Sequence, residues 1–285
     1  MGEENQQRES DFQKGRFSGE RPLVVVAELS TYAETVPLVL TALGADVVLA
    51  KQERVVIKPN LIEDRPPPVT TDVRCVEALI KYCKDVCSAE VIVAEGSGGC
   101  ETRDAFARLG YDGLKKEYGV ELVDLNNAET VEMTDVSNVF LKRFHFPKVL
   151  LGCYLISVPV LKAHSMSEAT LGMKNMIGAA PERFYGMGGH YKKWGLHGRL
   201  HRAIFEINKF RKPDMTVIDA AVGMATAHLW GPECDPPVGK LVASFDVVAA
   251  DGVGCGLLGK DWRRVEHIVL ADGLLGRADA DVKYA

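Results

Sequence analysis

Apolar and polar positions along this chain fall into short blocks whose periods identify the elements. "PLVVVAE" (22–28), "RVVIKPN" (54–60), "EVIVAEGSGG" (90–99), "VELVDL" (120–125), "YLISVP" (154–159), "DMTVIDA" (214–220) and "KLVASF" (240–245) carry continuous apolar runs of strand length. "ETVPLVLTAL" (34–43) reads as a helix with Pro37 near its first turn. "TDVRCVEALIKYCKDV" (71–86) reads as a second, with Thr71 or Asp72 as its cap, and "ETRDAFARLG" (101–110) as a third. "HGRLHRAIFEINKF" (197–210) and "DWRRVEHIVLA" (261–271) supply later helices. Unbroken apolar strands between helices belong to a parallel sheet covered on both sides. The predicted fold is therefore α/β and Rossmann-like, a mostly parallel sheet with helices on both faces. Residues 22–285 are expected to form a single α/β domain. The segment 180–200, rich in Gly and aromatic residues, is expected to be a lid or insertion. Residues 1–21 are polar, without the apolar centre of a signal peptide, and read as a disordered tail.

Polar motifs recur where these strands run out. "KPN" follows "RVVI", "EGSGG" follows "VIVA", and "LKAH" follows "LISVPV". In open α/β sheets the carboxyl edge is where ligands bind, because glycine turns and helix N-termini converge there. Lys58, Asn60, Ser97, Gly98, Lys162 and His164 are thus predicted at one edge. Lys174 and Asn175 reach it from "LGMKN" (171–175). Such a set suits a small anionic metabolite, carboxylate or phosphate, held by cations and backbone N–H groups. Taken singly, the same lysines read as solvated surface residues.

Composition removes other classes. The net charge of −5 over 285 residues lacks the basic footprint of a general nucleic-acid binder. No run of eighteen apolar residues predicts a membrane span, and a cytoplasmic location is expected. The seven cysteines include no C-x-x-C pair, so no iron–sulfur motif is written within the chain. Cys75, Cys83 and Cys87 share one helix face and read first as small core residues, second as cluster ligands. No G-x-x-x-x-G-K-[ST] and no G-x-S-x-G occurs, and the G-x-G-x-x-G at Gly254, Gly256 and Gly259 reads as a closely packed helix.

Four of the seven histidines, His164, His190, His197 and His201, lie close in sequence. His197 and His201 are spaced to share a helix face. No cofactor is identified by any motif; a divalent metal on a subset of these histidines is the candidate, hydrogen bonding in a lid the alternative. Residues 182–212 carry eight Lys or Arg against Glu182 and Glu206. They read either as a solvated face or as a nucleotide or RNA contact, with Phe184, Tyr185, Tyr191 and Trp194 to stack.

"VVIKPNL", "VPVLKAHSMSEATLGMKNMIG", "PDMTVIDAAVGM" and "VASFDVVAADGVGCGLLG" together resemble the domain of unknown function 362 family, from about residue 22 onward. Members of that family occur largely in anaerobes and are often fused to ferredoxin-type modules. The resemblance implies, as a second function, a redox accessory role with a separate ferredoxin-type partner. A more distant likeness to nickel-pincer lactate racemases rests on the spacing of His164, Lys174 and His190 and on Arg65 in "DRPPP". That likeness implies His164 as acid/base, Lys174 as a cofactor tether, His190 as a metal ligand and Arg65 as a carboxylate clamp. It would make the protein a metal-assisted, isomerase- or racemase-like enzyme with His164 and Lys174 catalytic; Lys162 joins them as a catalytic candidate from its place at the strand edge. The chain departs from it after the third strand, where "EGSGG" stands in place of a second catalytic histidine.

Overall fold

A computed structural model describes residues 21–188 and 191–285. Residues 1–20 of the expected tail, and His190, lie outside the described residues. The strands in chain order are β1 (Leu23–Glu28), β2 (Arg54–Pro59), β3 (Glu90–Glu95), β4 (Glu121–Asp124), β5 (Thr130–Thr134), β6 (Arg143–Pro147), β7 (Tyr154–Val158), β8 (Val160–His164), β9 (Glu168–Thr170), β10 (Met215–Met224), β11 (Lys240–Ser244) and β12 (Asp281–Tyr284). The helices are α1 (Tyr32–Leu43), α2 (Ala45–Leu49), α3 (Val73–Val86), α4 (Thr102–Arg108), α5 (Tyr111–Tyr118), α6 (Gly172–Asn175), α7 (Glu182–Tyr185), α8 (Leu200–Phe210), α9 (Val247–Leu257) and α10 (Glu266–Ala271).

The main sheet runs β12-β1-β11-β10-β7-β2-β3-β4, with β8 on β10 and β9 on β8. Its pairs are parallel except β11 with β1 and β10, and β9 with β8. The expected α/β fold, a mostly parallel sheet between helical layers, is thus present. Its central strands are apolar on both faces because each face has a core. Val55 and Ile57 pack with α1 and α3, while Val56 and Leu155 pack with α8 and α9.

Local chemistry explains the element ends. Thr31 caps α1 by accepting from Glu34 N, and Gly44, at φ 81°, ends it in the left-handed region. Pro37 lies in the second turn of α1, one turn later than expected, because the helix already starts at Tyr32. Asp72 caps α3, whereas Thr71 ties Asn60 N to Val158 O. Cys75 and Cys83 are core residues of α3, and Cys87 is half-buried. In α9 a Cβ on Gly252 would meet Ala278 O at 2.5 Å and one on Gly254 would meet Leu171 at 3.0 Å, so these two glycines serve close packing, whereas Gly256 and Gly259 face open space.

Two expectations need correction, and further strands lie outside the expected set. The strand "YLISVP" does not run out before "LKAH": past Pro159 the chain continues as β8, pairing with β10 and β9. The β5–β6 hairpin and edge strand β12 were not anticipated. The helix expected from His197 begins at Leu200, preceded by a 3-10 turn over Trp194–Arg199. Its Gly198 disfavours an α-helical start. Among the described residues no helix is long and apolar enough to cross a membrane.

Candidate functional site

The last two residues of β2 and the last of β3 begin the site. Lys58 sits opposite Ser157 of β7, inside the sheet, where its ammonium reaches Glu95 Oε1 at 2.8 Å. Both side chains are buried, at 0% and 2% exposure. Glu95 also accepts from Leu61 N at 3.0 Å and Gly96 N at 2.7 Å, so its carboxylate organises the turns after β2 and β3. Asn175 completes the arrangement: its amide donates to Lys58 O and Ser157 Oγ, and its Oδ1 accepts from Lys58 at 3.3 Å.

Lys162, on β8, is fully buried and donates to Asn60 Oδ1 at 2.6 Å and Val69 O at 2.8 Å. Lys193, from the segment after α7, is buried and donates to Asn126 Oδ1 at 2.6 Å and to Ala180 O. Lys174 stands on α6, whose first two amides are both accepted by the buried carboxylate of Asp251, at 2.7 and 3.0 Å. The Lys174 ammonium has no hydrogen-bond or ion-pair partner among the described residues.

These four lysines line one pocket of about 40 Å³, together with Glu95, Thr170 and His228. That volume holds roughly three waters, or one small oxyanion. Gly96 and Gly178 make the approach possible. A Cβ on Gly178 would stand 2.5 Å from Lys58 Nζ, and one on Gly96 would meet Gly178 O. Burial lowers the pKa of Lys162 to about 7, with help from the charge of Lys174. Burial also brings Lys174 to about 8 and Lys193 to about 7, and lowers Lys58 against the pull of Glu95. A larger cavity of about 640 Å³ lies between the starts of α1 and α3. Its polar groups are spent on one another: Tyr32 donates to Asp219 at 2.8 Å, and Arg74 clasps Asp72.

The sequence-predicted residues separate into those brought together and those not. Lys58, Asn60, Lys162, Lys174, Asn175 and Gly98 meet at the pocket. The surface alternative for the lysines fails, since Lys58 and Lys162 are fully buried. Ser97 is buried beside it, with its carbonyl accepting from Asn126 Nδ2. Arg65 pairs with Glu63 and lies 4.4 Å over the ring of Trp230, with its charge felt at Lys162. His164 is buried, accepts at Nδ1 from Met166 N and Ser167 N, and stacks on His228 with ring centroids 4.0 Å apart. His197 and His201 do not share a helix face. His197 bonds Lys193 O and stacks on Trp194, while His201 is engaged at Nδ1 by His267 and at Nε2 by Glu168. Both His201 nitrogens are thus taken, and His190, the third residue of the expected metal set, lies outside the described residues. Among the described residues no three His, Cys, Asp or Glu form a group able to hold one.

Sequence reasoning missed Glu95, Lys193, Thr170 and His228. Glu95 stood inside a quoted motif as the strand's last residue; the other three carried no local signal. The basic segment is mostly committed internally. Lys192 pairs with Glu101 and Glu182, Lys209 with Asp135, and Arg211 with Asp214. Arg183, Lys193 and Lys212 donate to backbone carbonyls. Of its aromatics, Tyr185 packs on Phe144 and Phe184 on His145.

Fold and site together define an α/β protein with a buried, lysine-lined pocket at the carboxyl edge of its sheet. The chain belongs to the domain of unknown function family DUF362, whose profile matches residues 55–256. It is similar to a thylakoid-associated protein of Synechocystis sp. (strain ATCC 27184 / PCC 6803 / Kazusa), at 24% identity over 206 residues. That match covers 70% of this chain and spans only 61% of the relative's length. Among solved structures it is similar to the lactate racemase apoprotein of Thermoanaerobacterium thermosaccharolyticum, with a TM-score of 0.46 and 14% identity. The superposition covers 84% of this chain and 58% of that one.

Proposed function

We propose that this protein binds a small anionic metabolite, through a carboxylate or phosphate group, in the pocket of Lys58, Lys162, Lys174 and Lys193. One observation carries the reading. Four lysines face a space the size of an oxyanion, and Glu95, the only acidic residue among the described residues lining it, is already shared by Lys58 and two backbone amides. Buried like charges stay protonated only when an opposite charge joins them. An anion meets that need, and Lys174, without a partner, is the group free to contact it. Amines whose pKa lies near 7 to 8 also suit proton transfer at neutral pH, so Lys174 and Lys162 are the acid/base groups of any reaction there.

Calorimetric titration with acetate and with inorganic phosphate tests the reading. Saturable binding is expected for the wild type and is expected to be lost in Lys174→Met while the melting temperature is retained. No binding of either anion at about 10 mM, ten times the upper end of ordinary Michaelis constants, sinks it.

A further inference from the structure

His164, which stacks on the pocket-lining ring of His228, has only one ring nitrogen left to use. Two backbone amides, Met166 N at 3.0 Å and Ser167 N at 3.3 Å, both donate to His164 Nδ1. That nitrogen must therefore carry its lone pair and not a proton, which places the ring hydrogen on Nε2. His164 Nε2 is buried and has no partner among the described residues. A second proton has no place to go: on Nδ1 it would confront two N–H groups. The surroundings oppose it as well. The ring is stacked at 4.0 Å on His228, and the ammoniums of Lys174 and Lys162 and the ring of His197 act on it with the same sign. Across the β8–β9 pair, Thr170 faces Lys162, lines the pocket and also has a buried hydroxyl with no partner.

We infer that His164 is a permanently neutral Nε2–H donor that, with Thr170 Oγ and Lys174 Nζ, takes up an oxygen of the bound anion and carries no proton to or from it. This deepens the anion-binding reading and rests on it. It replaces the acid/base role that resemblance implied for His164, and it leaves proton transfer to the lysines. Donors of this kind stabilise negative charge that develops on the oxygen they hold, which is the work of an oxyanion hole. The ligand class follows: an oxyanion whose oxygen accepts from at least two donors on the β8–β9 side, beyond its ion pair with the lysines.

Long-range proton–nitrogen NMR on the full chain tests this. His164 is the only histidine followed by serine, so labelling the His–Ser pair identifies its signals. In ligand-free protein the Nε2–H tautomer is expected unchanged from pH 5.5 to 9, and added inorganic phosphate is expected to move the Nε2 resonance without changing the tautomer. Phosphate affinity should fall about tenfold or more in His164→Leu and stay within about threefold in His164→Gln, which keeps a donor. An Nδ1–H tautomer, or a titration midpoint inside that pH range, overturns the inference. So does a silent Nε2 when phosphate binds. If neither phosphate nor acetate binds at all, the anion reading and the ligand contact fall together. The tautomer is read without ligand and stands or falls by itself.

Discussion

Lys58 Nζ lies 2.8 Å from Glu95 Oε1 on the neighbouring strand, and neither side chain is more than 2% exposed. The two residues join the ends of β2 and β3 beneath the pocket. Removing one partner leaves the other as a buried, uncompensated charge. Lys58→Met is expected to lower stability by about 3–5 kcal/mol in urea unfolding. Adding Glu95→Gln to it should recover part of that loss, because the remaining amide oxygen still accepts from Leu61 N or Gly96 N. A loss below about 1 kcal/mol for Lys58→Met would mean that the pair is not closed in solution.

Gly178 is the second support of the same pair. A Cβ there would stand 2.5 Å from Lys58 Nζ and closer still to Glu95 Oε1, too near for either to remain in place. Gly178→Ala should cost about 1–3 kcal/mol and weaken acetate binding, read by calorimetry. Gly113→Ala, where a Cβ would meet nothing within 4 Å, is the control: it lies in α5, so it should raise stability by up to about 1 kcal/mol and leave binding unchanged.

The contrast between these positions shows what was legible in the sequence. The runs at Val55–Ile57 and Val91–Ala94, and Leu155–Val158 with Ser157 as its one polar residue, announce doubly covered strands because they are apolar on both faces, and the carboxyl-edge location follows from them. The lysines were visible as residues after apolar runs. Their burial was not, since it depends on acceptors 37 residues away for Lys58 and 102 for Lys162. Strand β8 was hidden by Pro159, which reads as a strand end in any local window. His228 entered the site only by folding, through its stacking on His164. The i, i+4 spacing of His197 and His201 misled because a 3-10 turn occupies the place of the expected first helical turn.

Asp251 positions Lys174 without touching the pocket. Its carboxylate accepts from Gly172 N and Met173 N, the first two amides of α6, and burial raises its pKa to about 7. A carboxyl whose folded pKa lies above its unfolded value stabilises most at low pH, and that contribution is lost as pH rises from about 4 to about 7. Asp251→Asn keeps one acceptor and cannot ionise. The variant should therefore lose about 1–2 kcal/mol near pH 5, and the difference from wild type should shrink toward pH 7. It should also weaken acetate binding, since α6 carries Lys174. A constant difference across that range would show that Asp251 does not titrate there.

The lysines give the opposite slope. Lys162 and Lys193 at about 7 and Lys174 at about 8 lie below the unfolded value of 10.5. Between about 7 and 10.5 the unfolded chain therefore holds more protons than the folded one, and stability rises with pH. The ligand-free melting temperature is expected to climb by on the order of 5 °C from pH 7 to pH 9.5. Lys162→Met should flatten that climb. A bound anion reverses the balance, because each neutral lysine beside it regains a proton. Acetate, itself ionised throughout this range, should take up protons on binding near pH 8. This is detected as a dependence of the binding heat on the buffer's ionisation enthalpy. Its affinity should drop about tenfold or more between pH 6.5 and pH 9. A pH-independent affinity would mean that the four lysines stay charged without ligand, and that the pocket holds an anion by fixed charge alone.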